Sequence, residues 1–243
     1  MPHRLVSALV GLLFTIGLAA PAAAGMTPYV RLDYGGSELR TSAIDDNIAS
    51  MEQASSLNGD LYSFQSVGSG YGPSVALGAW LTPRLRVGAT FAYHHAVREN
   101  WATHDSSYAF DDQLDFREHE IGAEAAMRFT ELHGFMFGVN VAQGHADYAE
   151  STTLINGGAL QLTDGKASGN KITYGAFVGI DQAAASGAVG YIRFGYQFRD
   201  FGQLPAIVTT GDGFTSTAAS ATTTRMDLGG FYLRVGMGFD LAR

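Results

Sequence analysis

Eleven ionisable residues stand at alternate positions within otherwise apolar stretches of this 243-residue chain: Arg31, Asp33, Arg86, Glu118, Glu120, Glu124, Arg128, Arg193, Arg199, Arg234 and Asp240. Six guanidiniums against five carboxylates are suited to charge-assisted, often bidentate hydrogen bonding. Successive side chains of a strand point to opposite faces, so the spacing puts all eleven on the faces opposite the apolar ones. If those faces are enclosed, the charges must pair, because an isolated buried ion costs several kcal/mol. The chemistry expected of them is therefore a structural ion-pair network.

Other residues offer less. His94, His95, His104 and His119 match no metal-ligand spacing, and the adjacent His94 and His95 must face opposite ways. Ser106 and Ser107 beside His104 and Asp105 lack the strand-turn-helix elbow that would position a nucleophile. We therefore expect no catalytic residues, no metal and no cofactor.

The elements that would carry the charges read as strands. Val75 to His94 alternates, turns at Thr82-Pro83-Arg84 and alternates again. Val75, Leu77, Ala79 and Leu81 lead into Leu85, Val87, Ala89, Phe91 and Tyr93 on one face, with Ala76, Gly78, Trp80, Arg86, Gly88 and His94 opposite. The same pattern recurs in 29–35, 116–129, 135–144, 172–180, 188–199 and 231–240, where Phe177 is an apolar residue on the polar side. Between them, 37–67 reads as a long loop with a short helix capped near Asp45-Asp46-Asn47 and carrying Ile48 and Met51. The segment 96–114 reads as a polar loop, and so does the tract from Pro205 through Gly211-Asp212-Gly213 to Thr224. Asn156-Gly157, set between two apolar runs, predicts a tight hairpin whose arms project as a ribbon.

Connections thus alternate long and short across about eight strands, as in an up-and-down antiparallel transmembrane β-barrel. A soluble barrel alternates too, but with its apolar face inward. Here the polar face is rich in glycine and arginine and holds none of the chain's lysines, Lys166 and Lys171, which suits a narrow packed lumen better than a solvated exterior. Tyr29, Tyr34, Tyr93, Phe129, Phe135, Tyr174, Phe198, Phe201 and Phe239 stand near strand ends, where interfacial girdles form.

Residues 1–24 read as a secretory signal peptide, with His3 and Arg4, an apolar run and Ala22-Ala23-Ala24, leaving 25–243 as the barrel domain. Loss of Arg4 takes the formal charge from −8 to −9, and an acidic surface does not suit nucleic acid. Cysteine is absent, so no disulfide contributes to stability.

The signal peptide, the turn Leu81-Thr82-Pro83-Arg84-Leu85-Arg86 with its alternating flanks, and the closing strand Phe231, Leu233, Val235, Met237, Phe239 together resemble the opacity-protein/OmpA-type family of small outer-membrane barrels. The resemblance implies a barrel-only member in the outer membrane, in contact with its lipid and lipopolysaccharide. It also implies assembly by the barrel-assembly machinery, which reads a terminal aromatic residue; here Phe239 is followed by Asp240-Leu241-Ala242-Arg243. The expected role is structural, or surface interaction through loops with an extracellular or host ligand, with the lumen closed by ion pairs. A narrow pore or channel for small hydrophobic molecules is the alternative, and a lipid A-modifying enzyme a more distant one.

Overall fold

The structure is a computed structural model that describes residues 26–39, 42–65, 68–104, 108–130, 134–183, 188–212 and 216–241, with the side chains of 42–45 and 216–224 left aside. The proposed signal peptide lies outside the described residues, as do Asp105, Ser106 and Ser107. In chain order the elements are β1 (Thr27–Glu38), α1 (Ser42–Asn58), β2 (Leu61–Ser63), β3 (Ser69–Trp80), β4 (Leu85–His104), β5 (Tyr108–Arg128), β6 (Phe135–Asn156), β7 (Ala159–Ala183), β8 (Ala188–Phe198), β9 (Asp200–Gly211), β10 (Ser216–Asp227) and β11 (Gly230–Asp240).

Eight of the strands close a ring, in the order β1, β3, β4, β5, β6, β7, β8, β11 and back to β1, with every pairing antiparallel. First and last strands seal it, from Tyr29 opposite Asp240 to Ser37 opposite Tyr232. The expected fold class is thus the observed one. At the end where β1 begins and β11 ends, the turn from β3 to β4 is tight: Thr82 Oγ1 accepts from the backbone N–H groups of Leu85 (3.0 Å) and Arg84 (3.2 Å).

Outward positions of the ring carry Val30 and Leu32, Val75 and Leu77, Val87 and Phe91, Ile121 and Met127, Phe137, Val139 and Val141, Ile172 and Val178, Ile192 and Phe194, and Leu233 to Phe239 at every second residue. Among the described residues no acidic or basic side chain interrupts this belt, and Val139 and Val178 are more than half exposed. Inside, glycine makes room for rings: a Cβ on Gly138 would lie 2.4 Å from Phe177, and one on Gly238 2.1 Å from the Tyr191 hydroxyl.

Strands β4 to β7 are 20 to 25 residues long, whereas about 9–11 residues cross a bilayer. Their outer halves continue as an open sheet, to which β2 adds beside β4, while β9 adds beside β7 and β10 beside β9. This corrects two expected loops. Residues 96–104 and 108–114 are strand, and so are 200–211 and 216–227, because Thr, Val and Ile are good strand formers once a neighbouring ladder is available. The Asn156 hairpin forms as expected, with Gly157 (φ 59°) and Gly158 (φ 83°) at its tip.

Between Tyr174–Phe198 and Ala167–Ala206 the ladder from β7 to its neighbour is interrupted by a bulge where Gly202 takes φ 70°. The extra residue moves the inward set from odd to even numbers, so both Phe201 and Leu204 point inward. Phe201 therefore belongs to the interior and not to an aromatic girdle. Tyr29 also turns inward, 4% exposed, its ring centroid 6.3 Å from that of Trp80.

Above the charged part of the lumen the interior is apolar. Leu39, Leu114, Phe116, Phe201, Leu204, Met226 and Leu228 form a core that Ile48 of α1 completes, with Met51 packed against it. The helix is longer than its expected cap implies, running 17 residues from Ser42. Ala49, Met51, Glu52, Gln53 and Ala54 are strong helix formers, and Gly59 at φ 75° ends it, with Asp60 donating back to the Ser55 carbonyl at 3.0 Å.

Candidate functional site

The charged lumen is layered along β5, whose inward residues run from Arg128 at the tight-turn end through Glu124 and Glu120 to Glu118. Its lowest layer joins Arg128 to Asp181, with Nε donating to Oδ2 at 2.7 Å. The same guanidinium lies 3.7 Å from the Trp80 ring centroid, and Trp80 Nε1 donates to Asp240 at 3.1 Å. Sequence patterning that ends the strand at Ile180 misses Asp181, although its odd number continues the inward series Thr173, Gly175, Phe177, Gly179.

Glu124 is the hub of the middle layer. Arg31 grips both its oxygens (2.5 and 3.0 Å), Arg193 donates to it at 2.6 Å and Arg86 at 3.2 Å. Asp33 takes Arg31 Nε at 2.9 Å, Arg193 at 2.5 Å and the Ser74 hydroxyl at 3.1 Å. Three guanidiniums thus share two carboxylates, all five residues at most 5% exposed.

Farther up the lumen the partners change. Glu118 accepts from Arg199 at 2.5 Å and bonds His94 Nδ1 at 3.2 Å, while Arg234 reaches His94 Nε2 at 3.0 Å. A guanidinium can only donate, so His94 Nε2 is the acceptor and Nδ1 carries the proton toward Glu118. Glu120 accepts from Thr173 (2.9 Å) and Gln197 (2.5 Å). The expected pairing of Glu120 with an arginine is not found; neutral donors of β7 and β8 reach it first. Arg234 likewise meets a histidine in place of a carboxylate. His94 faces the lumen by parity yet is absent from the expected network, since a neutral imidazole adds no charge to balance.

Outside the lumen, His95 Nε2 lies 3.0 Å from Asp115, and His104 Nδ1 lies 3.0 Å from Asp60. Among the described residues no three His, Cys, Asp or Glu side chains converge to hold a metal ion.

One acid in the open-sheet extension lies inside: Asp112 accepts from Thr152 (2.9 Å) and Asn100 (3.5 Å) and is 2% exposed. Burial, the largest influence, raises its pKa, and the nearby Glu150 charge adds to the rise, while the hydrogen bonds from Thr152 and Asn100 oppose it. A carboxyl whose folded pKa lies above its unfolded value favours folding when protonated and disfavours it increasingly as pH rises through the folded pKa. Asp112→Asn, which keeps an acceptor for Thr152, should therefore protect the extension at neutral pH, with the advantage shrinking as pH falls toward the unfolded carboxyl value of about 3.9. Hydrogen exchange of the outer halves of β4 and β5 at several pH values measures this. Slower exchange in the wild type at pH 7 would contradict it.

A closed eight-stranded antiparallel barrel, apolar outside and ion-paired within, defines the class: an up-and-down transmembrane β-barrel. No protein-family model matches the sequence, and no curated protein matches it. Among solved structures the chain is similar to Neisserial surface protein A (16% identity, 89% of this chain and 99% of that one, TM-score 0.43). It is also similar to the attachment invasion locus protein Ail of Yersinia pestis (12% identity, 88% and 97%, TM-score 0.46). A major outer membrane protein of Thermus thermophilus is comparable (11% identity, 87% and 98%, TM-score 0.46).

Proposed function

We propose that this chain is an integral outer-membrane barrel with a structural or surface-interaction role, its lumen closed by ion pairs and its outer extension presented to the exterior. The observation that carries the reading is the division of charge at membrane height, where every described acidic and basic side chain of the ring turns inward and the outside is an unbroken apolar belt. Only a hydrocarbon surrounding makes that division stable, because exposed apolar area on this scale favours association in water. The paired charges that fill the lumen at membrane height support a closed, non-conducting barrel. The start of β1 and the end of β11 then lie at the periplasmic rim, and Phe239, outward on the sealing strand, is the residue we assign to recognition by the barrel-assembly machinery.

Two measurements test this. Protein from the membrane fraction should migrate faster on SDS gels unheated than boiled, because a sealed ladder resists detergent. A protein extracted by carbonate without a heat shift would defeat the membrane assignment. In planar bilayers the wild type should show no steady conductance; a large steady current would replace the closed barrel by the pore.

A further inference from the structure

The chain's two lysines take no part in the lumen and are both exposed on β7, beyond its last belt residue, Ile172. Lys166 lines a depression of about 680 Å³ on the outward face of the extension, together with Asp115, Arg117, Asp147, Pro205 and Ile207. Arg117 is pinned by Asp115 (2.6 and 3.2 Å), which also bonds His95. Among the described residues Lys166 has no carboxylate within ion-pair distance.

The depression lies on the same strands as the lipid-facing belt, so, resting on the outer-membrane reading, strand geometry sets its height above the hydrocarbon. Arg117 stands four residues past Ile121 and Lys166 six residues from Ile172. At about 3.3 Å per residue and a strand tilt of about 35–45°, they sit roughly 9 to 16 Å above the apolar edge. The polar layer of a phospholipid leaflet is only about 5–8 Å deep, so a lipid must carry a larger headgroup to reach them. The lining is mixed in a way that suits a sugar phosphate. Lys166 and Arg117 can take the phosphate, Asp115 and Asp147 can accept from sugar hydroxyls, and exposed Ile207 and Pro205 offer apolar surface to a pyranose face. A bare anion gains little from so balanced a set of charges.

We propose that this depression binds the phosphorylated oligosaccharide headgroup of an outer-leaflet glycolipid, with Lys166 as the principal phosphate contact and Arg117 as its fixed neighbour.

The test uses the full-length mature barrel refolded in phosphatidylcholine bilayers and titrated with fluorescent lipopolysaccharide. The same lipopolysaccharide after enzymatic dephosphorylation, phosphatidylglycerol and inorganic phosphate are run in parallel. Lys166→Ala should weaken lipopolysaccharide binding about fivefold, as loss of one near-surface cation implies, with Lys166→Arg close to wild type. Dephosphorylation should cost at least as much as Lys166→Ala, and phosphatidylglycerol should not distinguish wild type from variant. Equal binding by wild type and Lys166→Ala, or equal binding of the dephosphorylated lipid, would overturn the proposal. So would displacement by millimolar inorganic phosphate, which would make this a free-phosphate site, or crosslinking through the depression to a second copy unaffected by lipopolysaccharide. The heat shift in plain phosphatidylcholine separates the two readings. Its loss counts against membrane insertion, whereas an intact shift with variant-independent binding counts against the glycolipid site alone.

Discussion

Replacing Glu124 by alanine should both unlock and weaken the barrel. The carboxylate is shared by Arg31, Arg86 and Arg193, each at most 2% exposed, so its removal leaves three buried guanidiniums with only Asp33 between them. Breaking a buried pair by deleting one partner costs about 3–5 kcal/mol, since the remaining charge is uncompensated. The temperature at which the compact gel form converts to the unfolded one should drop accordingly. Conductance should appear or rise, because the guanidiniums lose the group that draws them together and repel one another toward the walls. Asp33→Ala should act in the same direction but more weakly, as Asp33 binds two guanidiniums and Glu124 three. A Glu124→Ala barrel with wild-type stability and no current would mean that the lumen is closed by its apolar core and α1, with the ion pairs incidental to closure.

Val139→Arg should impair insertion by about 2–4 kcal/mol, the range for a cation on the lipid face at the bilayer midplane. Val139 is 56% exposed and sits mid-belt on β6, opposite Ala125 and Ala176. The next residue, Asn140, turns to the lumen beside Glu124, its register partner on β5, so Asn140→Arg, which keeps the new cation off the lipid face, should be milder. Folding yield into phosphatidylcholine vesicles, followed by the gel shift, compares the two variants. Equal damage at neighbouring positions would mean that the two faces of β6 do not see different surroundings.

Much of this architecture is legible in the sequence because strand alternation is local. Period-two patterning in eight segments, turn chemistry at Thr82-Pro83 and Asn156-Gly157, and the parity of Arg31, Asp33, Arg86, Glu124 and Arg193 all follow from residues within a few positions of one another. Parity assigns a face, and a face is all it assigns. Which residues meet across the lumen depends on register and on strand order round the ring, properties of the closed barrel. Hence Arg193 and Asp33, 160 residues apart, bond directly, while Glu120, which shares their face, is taken by Thr173 and Gln197. Irregularities are likewise decided in three dimensions. The bulge at Gly202 reverses parity between Phe201 and Leu204, and a neighbouring ladder turns the Ser/Thr-rich stretch after Gly213 into strand. Tyr29 shows the same division of labour. Its odd number already aligns it with Arg31, but only the space left by Gly78 and Gly88 and the Trp80 ring beside it make the interior the place where its bulk fits. Alternation is set one peptide at a time and can be read that way, whereas partner choice is a property of ring closure, which no single stretch of chain contains.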